Sequence, residues 1–152
     1  MSSRLLSRRR LWWILYALWF VTLQVLSSQE GHGESEQFFP HLDKLAHLVF
    51  FAAGGSVLAI ALRLAWEHRF PYWNALLWTS VVATGAVVGA FDEWHQSFVP
   101  LRYGNSMGDW AADILGSVLA CLLLPLYWKL LRIRSIIGAA STESHPGGSY
   151  SS

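Results

Sequence analysis

The stretch Asp92-Glu-Trp-His-Gln-Ser-Phe-Val-Pro-Leu-Arg-Tyr-Gly-Asn-Ser-Met-Gly-Asp-Trp-Ala-Ala-Asp-Ile-Leu-Gly116 decides the fold. It holds four carboxylates, an arginine, a histidine and a glutamine, and it lies between two runs with no charged residue, Tyr72 to Phe91 and Ile114 to Trp128. At about 1.5 Å per residue, each flank reaches or nearly reaches across a bilayer as a helix. A polar cluster wedged between two such segments belongs at a membrane face. Ionisable groups are costly there and mark a functional site by default.

Working outward, the 152 residues suit one domain, and the 53% hydrophobic content is gathered into four long blocks, with only 14% of residues charged. This arrangement predicts an all-α, integral membrane bundle of four transmembrane helices over residues 1–137. Residues 138–152 read as a disordered cytoplasmic tail. Cys121 is the single cysteine, so an intrachain disulfide is excluded and the residue reads as small packing material.

Arg4, Arg8, Arg9 and Arg10 precede an uncharged run from Leu11 to Leu26. The pattern allows a signal peptide cleaved near Ser27, but the run is long and carries Trp12, Trp13 and Trp19, which favours a retained first helix. A polar loop with Glu30, Glu34 and Glu36 follows, and Pro40 presets the turn into the second helix. That helix is expected from about Leu42 to Leu64, with Gly54, Gly55 and Ser56 as a small patch for close approach of a neighbour. A basic connection spans 63–71. The third span covers Tyr72 to Phe91 and the fourth Met107 to about Trp128.

Four spans place the N-terminus, the 63–71 connection and the C-terminus on one side. That side holds Arg4, Arg8, Arg9, Arg10, Arg63, Arg69, Lys129, Arg132 and Arg134, nine of the eleven Lys and Arg. The positive-inside rule makes it cytoplasmic. The other side holds Lys44 and Arg102 with eight of the ten acids.

Helical spacing brings particular groups together. Gly85, Gly89, Glu93 and Gln96 share one face of the third span, and Asp109, Ala112, Asp113, Gly116 and Ala120 one face of the fourth. Asp43 and His47 are four apart on the second, in line with Gly54. Three helices are thus expected to meet through small faces, with a pocket at their outer ends. The Pro100–Ser106 loop folds over it, with Asn105 or Ser106 capping the fourth helix and Arg102 positioned to pair with Glu93 or Asp113. Asp92, His95, Asn105 and Ser106 read as interfacial anchors and caps. Glu93, Gln96, Arg102, Asp109 and Asp113 read as a shared site, Asp113 above all, because it opens an otherwise uncharged run.

At these residues the chain resembles the VanZ-like family of small bacterial membrane proteins. Asp43-Lys44-Leu45-Ala46-His47 matches that family's Asp-Lys-x-x-His element, and Glu93, Gln96, Pro100, Arg102, Ser106, Asp109 and Gly116 match a second motif, so the resemblance covers about Asp43 to Leu124. The family's usual Asn four residues after the second motif's Asp is Asp113 here. The resemblance implies a cell-envelope role in a bacterial plasma membrane, with a link to susceptibility to the glycopeptide teicoplanin. It adds Ser106 to a binding set of Asp43, Lys44, His47, Glu93, Gln96, Arg102, Asp109 and Asp113.

Three function classes follow, in order. The first is a protein that binds or modulates an envelope component, a phospholipid or lipid-linked wall-precursor head group, with Arg102 and Lys44 on phosphate. The second is a membrane-embedded acid–base enzyme using Glu93, His47 and Asp113. The third is a small transporter subunit, which four helices could form only as an oligomer. There is no nucleophile elbow, zinc-protease helix or phosphate loop. No His or acid pair has diagnostic ligand spacing, so neither a metal nor a cofactor is expected, and the lipid bilayer rather than nucleic acid is the expected partner.

Overall fold

The computed structural model describes residues 3–30, 42–66, 75–102 and 104–143. It contains four helices, α1 Ser3–Ser27, α2 Leu42–Trp66, α3 Ala75–Gln96 and α4 Met107–Glu143. All four are long and apolar enough to cross a membrane, over Arg9–Ser27, Leu42–Trp66, Ala75–Gln96 and Met107–Tyr127. The segment with Pro40, the connection with Arg69 and the Tyr72–Trp73 start of the third span lie outside the described residues. So do Tyr103 and positions 144–152 of the expected tail.

Two helices run further than their apolar stretches suggest. α3 continues past Phe91 to Gln96, because Asp92, Glu93 and Gln96 turn into the bundle and keep its buried stripe unbroken. α4 continues past Trp128 to Glu143, taking in Gly138–Glu143 at the start of the expected tail. The segment Lys129–Ile137 is free of proline and made of residues helices accept. Pro125 inside α4 has no N–H for the carbonyl one turn back.

α2 is the hub, packed against each of the other three helices and most extensively against α4, whereas α1 touches α2 and α3. Its hub position explains its wide buried face, Phe51, Gly54, Gly55, Ser56 and Leu58 to Ala61. One end of the bundle has an apolar core of Leu58, Ala59, Ile60, Leu77, Val81, Cys121 and Leu124, rimmed by Trp12, Tyr16, Trp66, Trp78 and Tyr127. Large apolar side chains such as Ile14, Leu18, Val49, Val87, Leu115 and Leu122 stand on the outside. That inversion suits contact with lipid rather than water.

Small residues set the helix spacing. A Cβ at Gly85 would strike Ser117, and one at Gly89 would lie 3.0 Å from the Asp113 Cβ, so α3 closes directly on α4. A Cβ at Gly116 would strike the Leu48 carbonyl oxygen and lie 2.9 Å from the Ala52 nitrogen, which is backbone and cannot swing aside. Gly55 meets Ala120 of α4, but Gly54 faces the other way and receives the indole of Trp19 from α1. The Trp19 Nε1 donates to the Phe50 carbonyl at 3.0 Å. The small patch on α2 therefore serves two partners, where its spacing suggested a single junction.

Gly116→Leu should lower stability in detergent by about 1–3 kcal/mol or more, since the overpacking is against main chain. Leu122→Ala, on the outer surface, should change stability little. Equal melting of the two variants would show that α4 presents a different face to α2.

Candidate functional site

The polar end of the bundle is assembled from the C-terminal ends of α1 and α3 and the N-terminal ends of α2 and α4. Asp92 is completely buried, at 0% exposure. Its Oδ1 accepts a hydrogen bond from the Ser27 hydroxyl of α1, and its Oδ2 accepts from Gln96 Nε2 at 2.7 Å. Gln96 Nε2 also reaches Ser27 Oγ at 3.2 Å, closing a three-membered polar ring. Each bond meets the requirement that buried polar groups find partners.

Glu93, at 4% exposure, organises the loop to α4. Its Oε2 accepts the Ser106 backbone N–H at 2.6 Å, and its carbonyl accepts the Asn105 N–H at 3.2 Å. Asn105 takes a positive φ of 62° there, a conformation asparagine tolerates. Gly104 lies so close to Ser97 and the Glu93 carbonyl that a side chain would not fit. Ser106 is the helix cap, its hydroxyl accepting the Asp109 N–H at 3.3 Å.

Asp113 is also fully buried, and its Oδ1 lies 2.9 Å from His47 Nδ1. The acid fits because Gly89 leaves it room against α3. Nearer the surface, Lys44 Nζ bridges Asp43 Oδ2 and Asp109 Oδ1, both at 3.1 Å. Those partly exposed pairs contribute little, roughly 0–1 kcal/mol each.

Two carboxylate oxygens, Glu93 Oε1 and Asp113 Oδ2, are buried and have no hydrogen-bond partner. His47, Asp92 and Glu93 each offer one metal-binding atom within 4.8 Å of the others. Around Asp92, Glu93 and Asp113 the only cationic candidate with a bond to any of them, among the described residues, is His47. An uncompensated carboxylate in such surroundings is strongly unfavourable.

Of the expected binding residues, Asp43, Lys44, His47, Glu93, Gln96, Ser106, Asp109 and Asp113 all come to this end of the bundle. The pairing of Arg102 with Glu93 or Asp113 does not form. Glu93 is held by the Ser106 amide and Asp113 by His47, while the half-buried Arg102 side chain has no partner among the described residues. Asp92 is the main correction: it is a buried member of the network and not an interfacial anchor. The signal was present, since Asp92 lies three residues after Gly89 and four before Gln96. Ser27 was missed because it ends an apolar run, although Trp19, Leu23 and Ser27 share one face. His95 forms none of these bonds.

No protein-family model, curated protein or solved structure matches the chain.

Ser27→Ala should strip Asp92 of a donor and lower stability by about 1–3 kcal/mol. Ser28→Ala, which removes only an exposed bond to the Gln24 carbonyl, should be near neutral. Equal melting temperatures for the two would show that α1 does not dock through Ser27.

Proposed function

We propose that this chain is a VanZ-like multi-pass protein of a bacterial plasma membrane that holds a polar head group at the extracytoplasmic end of its bundle. The observation that carries the reading is the concentration of buried carboxylates, two with an unpartnered oxygen, beneath a loop bearing Arg102. Buried acceptors seldom go without donors, and each that does calls for an explanation. A ligand carrying hydroxyl or amine donors and a phosphate would satisfy both sets, with Glu93, Asp109 and Asp113 on the donors and Arg102 and Lys44 on the anion. A phospholipid or lipid-linked wall precursor has that chemistry, and altered glycopeptide susceptibility would follow from sequestering or modifying the latter.

The orientation rests on the nine-to-two distribution of Lys and Arg. In a Cys121→Ser background, cysteines at Gln29 and Asn105 should react with an impermeant thiol reagent on intact cells, and one at Ser141 should not. Labelling at Ser141 alone would invert the topology.

The Asp113–His47 pair keeps a second reading in view, because a buried carboxylate orienting an imidazole is also how a general base is built. The two readings rank variants oppositely. Binding predicts that Arg102→Lys loses most affinity, through loss of the planar fork, while Glu93→Gln is partly tolerated. Catalysis predicts that Glu93→Gln abolishes turnover with affinity nearly unchanged. Retention of anionic phospholipid or wall precursor by the purified variants, together with glycopeptide sensitivity of cells, separates them. An Arg102→Lys variant indistinguishable from the original protein would end the binding reading.

A further inference from the structure

We propose that His47, Asp92 and Glu93 form a binding site for a divalent transition-metal ion of the zinc class. Sequence spacing gave no hint of it, because the ligands come from two helices and two of them are neighbours in the chain. Three observations carry it. The first is the donor set: one imidazole from α2 and two carboxylates from α3 place ligand atoms within 4.8 Å of one another. Ligand atoms around a common tetrahedral ion at about 2.0–2.2 Å stand roughly 3.3–3.6 Å apart, so binding would draw the three side chains together by up to about 1.5 Å.

The second observation is independent of that geometry. Glu93 is 4% exposed, yet its Oε1 has no hydrogen-bond partner. Its other oxygen is fixed on the Ser106 amide, which orients the carboxylate and leaves Oε1 available. A buried acceptor held in place without a donor needs a cation or a proton.

The third is the surrounding shell. Metal-bound histidines ordinarily give their other ring nitrogen to a carboxylate, which fixes the tautomer and strengthens the ligand. His47 Nδ1 lies 2.9 Å from Asp113 Oδ1, so Nε2 is the nitrogen left for an ion. Asp92 is likewise held by the Ser27 hydroxyl and Gln96 Nε2, and Gln96 donates at 2.7 Å. A +2 ion would also offset the buried negative charge of Asp92, Glu93 and Asp113. A mixed nitrogen and oxygen set suits zinc better than magnesium or calcium, which favour oxygen alone.

Three protein ligands leave a fourth position open, which is the arrangement of sites that engage a ligand or substrate. A phosphate oxygen could occupy it, and only this use of the ion rests on the head-group reading.

The test uses the full chain purified in detergent, stripped with a chelator and titrated with zinc chloride alone. The expected result is one zinc per chain, with affinity at least ~10-fold weaker in His47→Ala and Glu93→Gln, since each removes one of three ligands. Glu30→Gln, an acid outside the cluster, should bind as the original protein does. Helicity and elution volume establish that each variant is folded. Cobalt titration of the original protein supplies a readout independent of any variant, as visible ligand-field bands that zinc displaces. A folded original protein with no saturable zinc binding and no cobalt bands overturns the site, as does unchanged affinity in both ligand variants. Zinc binding without retention of anionic phospholipid or wall precursor would sink the head-group reading and leave the cation site standing. Lipid retention by folded protein that never binds zinc would do the reverse.

Discussion

Burying Asp92, Glu93 and Asp113 at one end of an apolar bundle is the constraint to which the rest of the structure answers. A carboxylate removed from water must find donors or cations nearby, and a membrane helix offers few along its own length, here Gln96 for Asp92. The other donors come from neighbouring elements: the Ser27 hydroxyl from α1, the His47 imidazole from α2 and the Ser106 amide from the start of α4. Each of these three bonds crosses from one element to another, so satisfying the acids and assembling the bundle are one event. The glycines belong to the same solution, because Gly85, Gly89 and Gly116 bring the backbones close enough for these short side chains to meet.

The two ends of the bundle consequently do different work. The Leu58, Val81 and Leu124 end is ordinary apolar packing, tolerant of volume-conserving change. The polar end is held by directional bonds, and two of its carboxylate oxygens, Glu93 Oε1 and Asp113 Oδ2, remain unpartnered. That division supports a head group as ligand, since such a molecule presents polar atoms at one depth and acyl chains along the exposed leucines and valines.

Much of this was legible in the residues. The four helices follow from uncharged runs, and the stripes Gly85–Gly89–Glu93–Gln96 and Asp109–Asp113–Gly116–Ala120 follow from spacing alone. Pairing was less legible. Arg102 is the obvious cation by charge, but a backbone amide and a neutral-capable histidine reach the acids first, because they sit on elements already in contact. Asp92 was misplaced because a charge at the end of an apolar run resembles an anchor unless its helical face is followed past the boundary. Ser27 could be placed only by knowing that α1 lies against α3, which no pattern within α1 states.

The indole of Trp19, seated against Gly54 and donating to the Phe50 carbonyl, has a consequence in time as well as in space. A chain synthesised from its N-terminus delivers α1 and α2 to the membrane first. Once those two are latched, Ser27 and His47 are already at the polar end when α3 and α4 arrive. Asp92 and Asp113 then meet partners already in the membrane, while Glu93 waits only for the Ser106 amide thirteen residues on. For those two acids the donor is written before the acceptor, which is the order in which a membrane can take them up.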